Sequence, residues 1–306
     1  VVDPFSEMHH LVSKAYQWNF ATEDRRVAVI DARTGKIIDR RRAVKHNFAR
    51  AGYSAVVDRD GVADSRLERE FSKIETPILH QIRQVTAGGR GREQRAAVIN
   101  LFALHLVRSE AFEAKHGRIV EDLRREWLPD LASNQELREQ YAAELGVDST
   151  DEDIIELGER ILTENVRSNR MHVDGMVRMH NKIADQLAKF HVQVITSERL
   201  GMGFALGDIP VVHANTKQGR YGFRDDLAIG DADLIIGPLT RTTAAALTVR
   251  PVDSAKLAVK KRMQEINAVF ARAALNEVAC HPDDVADVRR VCEQQDRFST
   301  KWLAGG

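Results

Sequence analysis

Hydrophobic and polar positions change period several times along the chain, and the changes divide it into elements. Near the N-terminus "RVAVID" (Arg26–Asp31) and "KIID" alternate around "ARTGK". That is the two-residue period of a β-hairpin, with Gly35 able to take the positive φ of a tight turn. The following "AVKHNFARAGYSAVVDRDG" reads as irregular chain or short strands. From about Val62 the period lengthens, and Leu67, Phe71, Ile74 and Ile78 form one helical stripe. "TAGGRG" (86–91) ends that helix, because consecutive glycines stop helices and permit reversal. "REQRAAVINLFALHLVRSEAFEAKHG" predicts a second helix. Its residues 96–107 are apolar almost all the way round, which places them at the centre of the fold.

The stretch from about 129 to 166 is charged and helical, with Ser149, Thr150 or Asp151 as N-cap, and reads as a peripheral insertion. A further helix reaches about Phe190, with Met176, Met179, Ile183, Leu187 and Phe190 on its inner side. Four strands are expected next, in "FHVQVITSE", "GFALGDIPVVHA", "ADLIIGPL" and "AAALTVRPV". A long helix from about 253 to 280 and a shorter one after Pro282 close the chain. Helices, then a compact sheet, then helices make an α+β fold in which a central buried helical hairpin and further helices pack on a small, mostly antiparallel β-sheet. The expectation is a single domain over 1–306, with 129–166 as its insertion.

Composition narrows the picture modestly. The 306 residues are 43% hydrophobic, enough for a sizeable core, and Lys plus Arg equals Asp plus Glu at 45 each. A neutral total lacks the general basic footprint of a nucleic-acid binder, although a local patch can hide in it. Cys280 and Cys292 read as reduced thiols. No segment has the length of a membrane span and "VVDPFSEMHH" is not a signal peptide, so a soluble, cytoplasmic protein is expected, with no membrane partner.

The chemistry-bearing residues lie on the predicted hairpin and on one strand. Glu68 and Glu75 are seven residues apart, within about 20° of each other on the flank of the apolar stripe. Arg108 ends the apolar run of the second helix, and the midpoint between Glu68 and Arg108 is Gly88 in the turn, so those two side chains should sit at one height. They read either as a structural salt bridge between core helices or as an anion clamp with Glu68 orienting the guanidinium or acting as base. Of the adjacent His9 and His10, one should face solvent and the other the core. His172 and His180, eight residues apart, read as surface residues. Asp208 makes a turn in "GDIP", but its apolar flanks require a partner, for which Arg108 or a histidine would serve.

These stretches, in order, resemble the bacterial family catalogued as domain of unknown function 4238. The resemblance rests on "HHLVSKAYQWNF" (9–20), "LEREFSKIE" (67–75), "LFALHLVRSE" around Arg108, "FALGDIPVV", "IIGPLTR" at Pro238 and Leu239, and "INAVFARAALNEV". The chain departs from the family's pattern at "LVSK", where a proline is common, and at "SE" after Arg108, where Thr-Pro is frequent. The stretch 129–166 has no clear counterpart. The resemblance implies a shared fold and a shared polar set of His10, Glu68, Glu75, Arg108 and Asp208; it supplies no activity.

The leading functional expectation is a hydrolase acting on a nucleic acid or another phosphate ester. Arg108 would bind the anion, His10 would be acid or base, and Glu68 or Asp208 would orient or activate water. An Asp-Glu-Glu-His set could also hold Mg²⁺ or Mn²⁺ through oxygen ligands, but the sequence names no cofactor. The alternative is a non-catalytic binding module for an anionic ligand or protein partner, with the polar cluster structural.

Overall fold

The computed structural model describes residues 8–298 apart from 54, 58–62, 65, 137–138, 140–149, 168–169, 198–200, 223–224 and 252–259. Strand β1 (Met8–His10) leads through a single-turn helix α1 (Lys14–Gln17) into the hairpin β2 (Arg26–Asp31) and β3 (Ile37–Ala43). Gly35 makes the hairpin turn at φ 71°, and the side chain of Glu293 occupies the space a Cβ would need. Short strands β4 (Ala49–Ala51), β5 (Val56–Val57) and β6 (Ala63–Asp64) follow, β4 pairing with β1 and β5 with β6. Both His9 and His10 are buried, contrary to the expectation that one would face solvent, because β1 is covered on both faces.

The helical hairpin forms as the periodicity requires. Helix α2 (Arg66–Thr86) turns at Gly88, with φ 99°, into α3 (Arg92–Val107). Residues 101–107 of α3 are all buried, and α3 packs against both α2 and the later helix Arg170–Leu187. The expected single helix through residue 117 breaks at Arg108. Ser109 donates to Leu106 O at 2.8 Å and accepts from Phe112 N at 3.2 Å, so its hydroxyl closes α3 and caps α4 (Glu110–Asp122). After α5 (Leu128–Ser133), helix α6 (Asp151–Arg167) starts with Thr150 as its cap: Asp153 N donates to Thr150 Oγ1 at 3.2 Å, and Thr150 N donates back to Asp153 at 2.9 Å. Helix α7 (Arg170–Leu187) buries Met176, Ile183 and Leu187 as expected. It also buries His172 and His180, against the surface positions expected for them. Positions 172, 176, 180, 183 and 187 share one helical face, and His172 meets Tyr53 edge-on at 5.0 Å.

Two antiparallel sheets complete the fold. Strands β7 (His191–Thr196), β8 (Leu206–Gly207), β9 (Val212–Asn215), β10 (Arg220–Tyr221), β11 (Leu234–Thr240) and β12 (Thr243–Thr248) precede helix α8 (Lys260–Ala273), strand β13 (Glu277–Cys280) and helix α9 (Val285–Glu293). The larger sheet has the order β10-β9-β11-β12-β7 and the smaller β3-β2-β13-β8. Pro238 is tolerated inside β11 because pairing with β9 ends at Ile236, leaving no ladder bond for the missing N–H to make.

Two expected elements are divided. "GFALGDIPVVHA" is not one strand: β8 belongs to the smaller sheet and β9 to the larger, and the corner at 208–211 carries the chain between them. The last long helix does not reach residue 280. It ends at Ala273, and the apolar, β-compatible "EVAC" becomes the central strand β13. Among the described residues, no helix is long and apolar enough to cross a membrane.

The loop before β8 shows how tightly the smaller sheet is packed. A Cβ on Gly203 would stand 2.3 Å from Asp284 Oδ2, which accepts from Arg241 Nε at 2.8 Å. Gly203→Ala is therefore expected to displace the Arg241–Asp284 pair and lower the unfolding free energy by about 2 kcal/mol, measured by urea titration.

Candidate functional site

Arg108 is the largest fully buried side chain among the described residues, and its surroundings define the polar centre. Its guanidinium donates to the backbone carbonyl of His10, lies 4.0 Å from Glu75 Oε2, and stacks 5.0 Å from the centre of the Phe71 ring. Glu75 comes from α2, Arg108 from the end of α3 and His10 from β1, so three separate elements meet there. The pairing with Glu75 follows from side-chain direction. Helical side chains lean toward their own N-terminus, so Arg108 reaches back toward the hairpin turn while Glu75 leans away from it, and the two meet. Glu68 lies on α2, but its side chain is outside the described residues.

Behind this pair lie two groups the sequence reading did not single out. Tyr16 donates its hydroxyl to Pro238 O, and burial, reinforced by the charge of Glu75, pushes its phenol well above the ordinary value. His105 stacks on Tyr16 with ring centres 4.7 Å apart. Burial, with the neighbouring Arg108 charge adding, pulls its imidazole down to about 3. Both were hidden in apolar runs where a polar residue carries no periodic signal.

His10 and Glu75 also line the floor of a cleft of about 570 Å³, a volume suited to a small ligand. His10 Nε2 is 3.3 Å from Lys45 O, a contact in which a protonated Nε2 donates to the carbonyl. The walls carry Lys14, Arg25, Arg26 and Lys45 against a single further carboxylate, Asp24. Asp24 is already bridged to Arg41 at 2.8 Å and Arg26 at 3.8 Å, and the Thr22 hydroxyl, followed by Arg41, holds its carboxyl below the usual range. Lys14 and Lys45 make no ion pair among the described residues, so the cleft presents surplus positive charge. The basic residues come from "SKAYQW", "EDRR" and "VKH", whose convergence on one cleft is a tertiary fact that no local pattern reveals.

Asp208 lies apart from this cluster. One carboxylate oxygen accepts from Leu275 N at 2.8 Å, and the other from Asn276 N at 2.8 Å and Glu277 N at 3.2 Å. Its own N–H donates to Glu277 O at 3.1 Å. The partner required by its apolar setting is thus the backbone between α8 and β13, neither Arg108 nor a histidine. Burial raises its carboxyl, against the opposing pull of the three amides. Of the five residues read from the sequence, the structure brings His10, Glu75 and Arg108 together and sets Asp208 elsewhere.

Among the described residues, no group of three or more His, Cys, Asp or Glu side chains is placed to hold a metal ion. No curated protein and no solved structure matches the chain. A family model described as a protein of unknown function, DUF4238, matches residues 8–284. That span takes in the β1 histidine, the helical hairpin, the cleft and the Asp208 corner, and the chain belongs to the DUF4238 family.

Proposed function

We propose that the cleft binds a phosphate-bearing ligand and that the protein hydrolyses it. The observation that carries this reading is the placement of His10 and Glu75 on the floor of one cleft that also carries Lys14 and Lys45, which make no ion pair among the described residues. The lysines and Arg26 hold the anion. His10, held by the contact of its Nε2 with Lys45 O, is the group for proton transfer to or from water. Arg108 is buried behind the floor and does not line the cleft, so it positions His10 through the backbone carbonyl and fixes Glu75. Asp208 takes no part in the chemistry.

The test is a cleavage panel of labelled RNA, single- and double-stranded DNA and a generic phosphodiester, each with EDTA, Mg²⁺ or Mn²⁺. His10→Asn is expected to lower kcat about a hundredfold with an unchanged melting temperature, as removal of a general acid–base does. Lys14→Gln with Lys45→Gln should raise KM and leave kcat nearly intact. The burial of the Arg108–Glu75 pair favours a second reading, in which the polar centre is structural and the cleft holds its ligand without turnover. Saturable phosphate-dependent binding with no product under any metal condition would select it.

A further inference from the structure

The cleft contains an aromatic surface that anion binding alone does not require. Trp18 begins the turn after α1 and lines the cleft with 40% of its surface exposed. Its neighbours Tyr16 and Phe20 are fully buried, so the core had room for aromatic side chains at this turn and the indole at 18 stands outside it. Arg25 lies over the indole, its guanidinium carbon 4.2 Å from the ring centre. Arg25 holds that position with φ 59°, a left-handed conformation that a non-glycine residue rarely adopts. The turn that imposes it is closed by Arg25 N donating to Thr22 O at 2.8 Å and Thr22 N donating to Arg26 O at 2.9 Å. The result is a flat cation–aromatic stack in the same cleft as the phosphate-binding side chains.

A planar heteroaromatic ring fits such a platform, because stacking against an indole or a guanidinium is available to any base and needs no specific hydrogen-bonding edge. We propose that the ligand of this cleft is a nucleotide unit, with its base stacked on Trp18 beside Arg25 and its phosphate on Lys14 and Lys45. The proposal rests on the phosphate-binding reading above and adds the base to it. A free nucleotide and an exposed nucleotide of a single strand present the same chemistry.

Calorimetric titration of the full chain with adenosine 5′-monophosphate, uridine 5′-monophosphate, ribose 5-phosphate and a short adenylate single strand tests it. Both nucleotides are expected to bind about tenfold more tightly than ribose 5-phosphate, the scale of one base stacked on an aromatic ring. Trp18→Ala should abolish that difference while leaving ribose 5-phosphate unchanged, and Trp18→Phe should restore most of it. Tighter binding of the strand than of the mononucleotide would identify the strand as the source, and equal binding the free nucleotide. Ribose 5-phosphate binding as well as the nucleotides, or a nucleotide preference that survives Trp18→Ala, overturns the base platform and leaves the anion cleft standing. Failure of every phosphate-bearing probe to bind overturns both. The comparison of probes on the unaltered protein is decisive even where a Trp18 variant does not fold.

Discussion

Asp208→Ala is expected to lower the unfolding free energy by about 4 kcal/mol, because three backbone N–H groups lose a charged acceptor together. Leu275, Asn276 and Glu277 donate to the two carboxylate oxygens over 2.8 to 3.2 Å, and the alanine methyl offers them nothing. The site is buried, so water cannot fully replace the acceptor. These amides mark the place where α8 ends and β13 begins, and β13 is central in the smaller sheet, between β2 and β8. The loss therefore spreads to the pairing of β2, β13 and β8. Asp208→Asn should cost less, since one amide oxygen still accepts while its NH₂ now faces donors. Urea titrations of the two variants beside the unaltered chain check the order. The same variants separate scaffold from chemistry: at a temperature where they remain folded, their cleavage rate should equal that of the unaltered protein. A folded Asp208→Asn with no activity would return the carboxylate to the catalytic set.

Much of this arrangement could be read from the chain, and the failures have physical causes. The α2–α3 hairpin was legible because Leu67 to Ile78 keeps a helical period and two glycines interrupt it, both local signals. The burial of α3 was legible because residues 96–107 leave no polar face. The end of α8 was not, since "FARAALNEVAC" carries apolar residues compatible with either period; what ends the helix is Asp208, 67 residues earlier than the first amide it holds. The cut at Ser109 left a trace in the serine after Arg108, where a hydroxyl can cap. For the site, the histidine, glutamate and arginine stood out as polar residues beside apolar stripes. The cationic wall and Trp18 did not, because exposed lysines, arginines and single aromatics are ordinary along any chain until folding gathers them.

Acidification from pH 7 to pH 5 is expected to remove about 4 kcal/mol of stability through two buried histidines. His105 is held neutral, its imidazole pulled down to about 3 by burial and by Arg108. His213 is pulled down to about 4, chiefly by burial, although Leu227 O accepts from its ring at 3.0 Å and resists the shift. In the unfolded chain both titrate near 6.5. Between the folded and unfolded values protons bind only the unfolded state, so the contribution is intact above about pH 6.5 and is lost as pH falls toward 3 or 4. Each histidine accounts for about 2 kcal/mol at pH 5. Asp208 works in the opposite direction, since its raised carboxyl favours the folded state once it protonates. His105→Phe tests the assignment. Neither ring nitrogen of His105 has a hydrogen-bond partner among the described residues, so phenylalanine should preserve the stack on Tyr16 and cost little at pH 7. It should then halve the stability lost between pH 7 and pH 5 in urea titrations. An undiminished loss would place the acid sensitivity in groups other than His105 and leave the buried imidazole without a role in the protein's pH response.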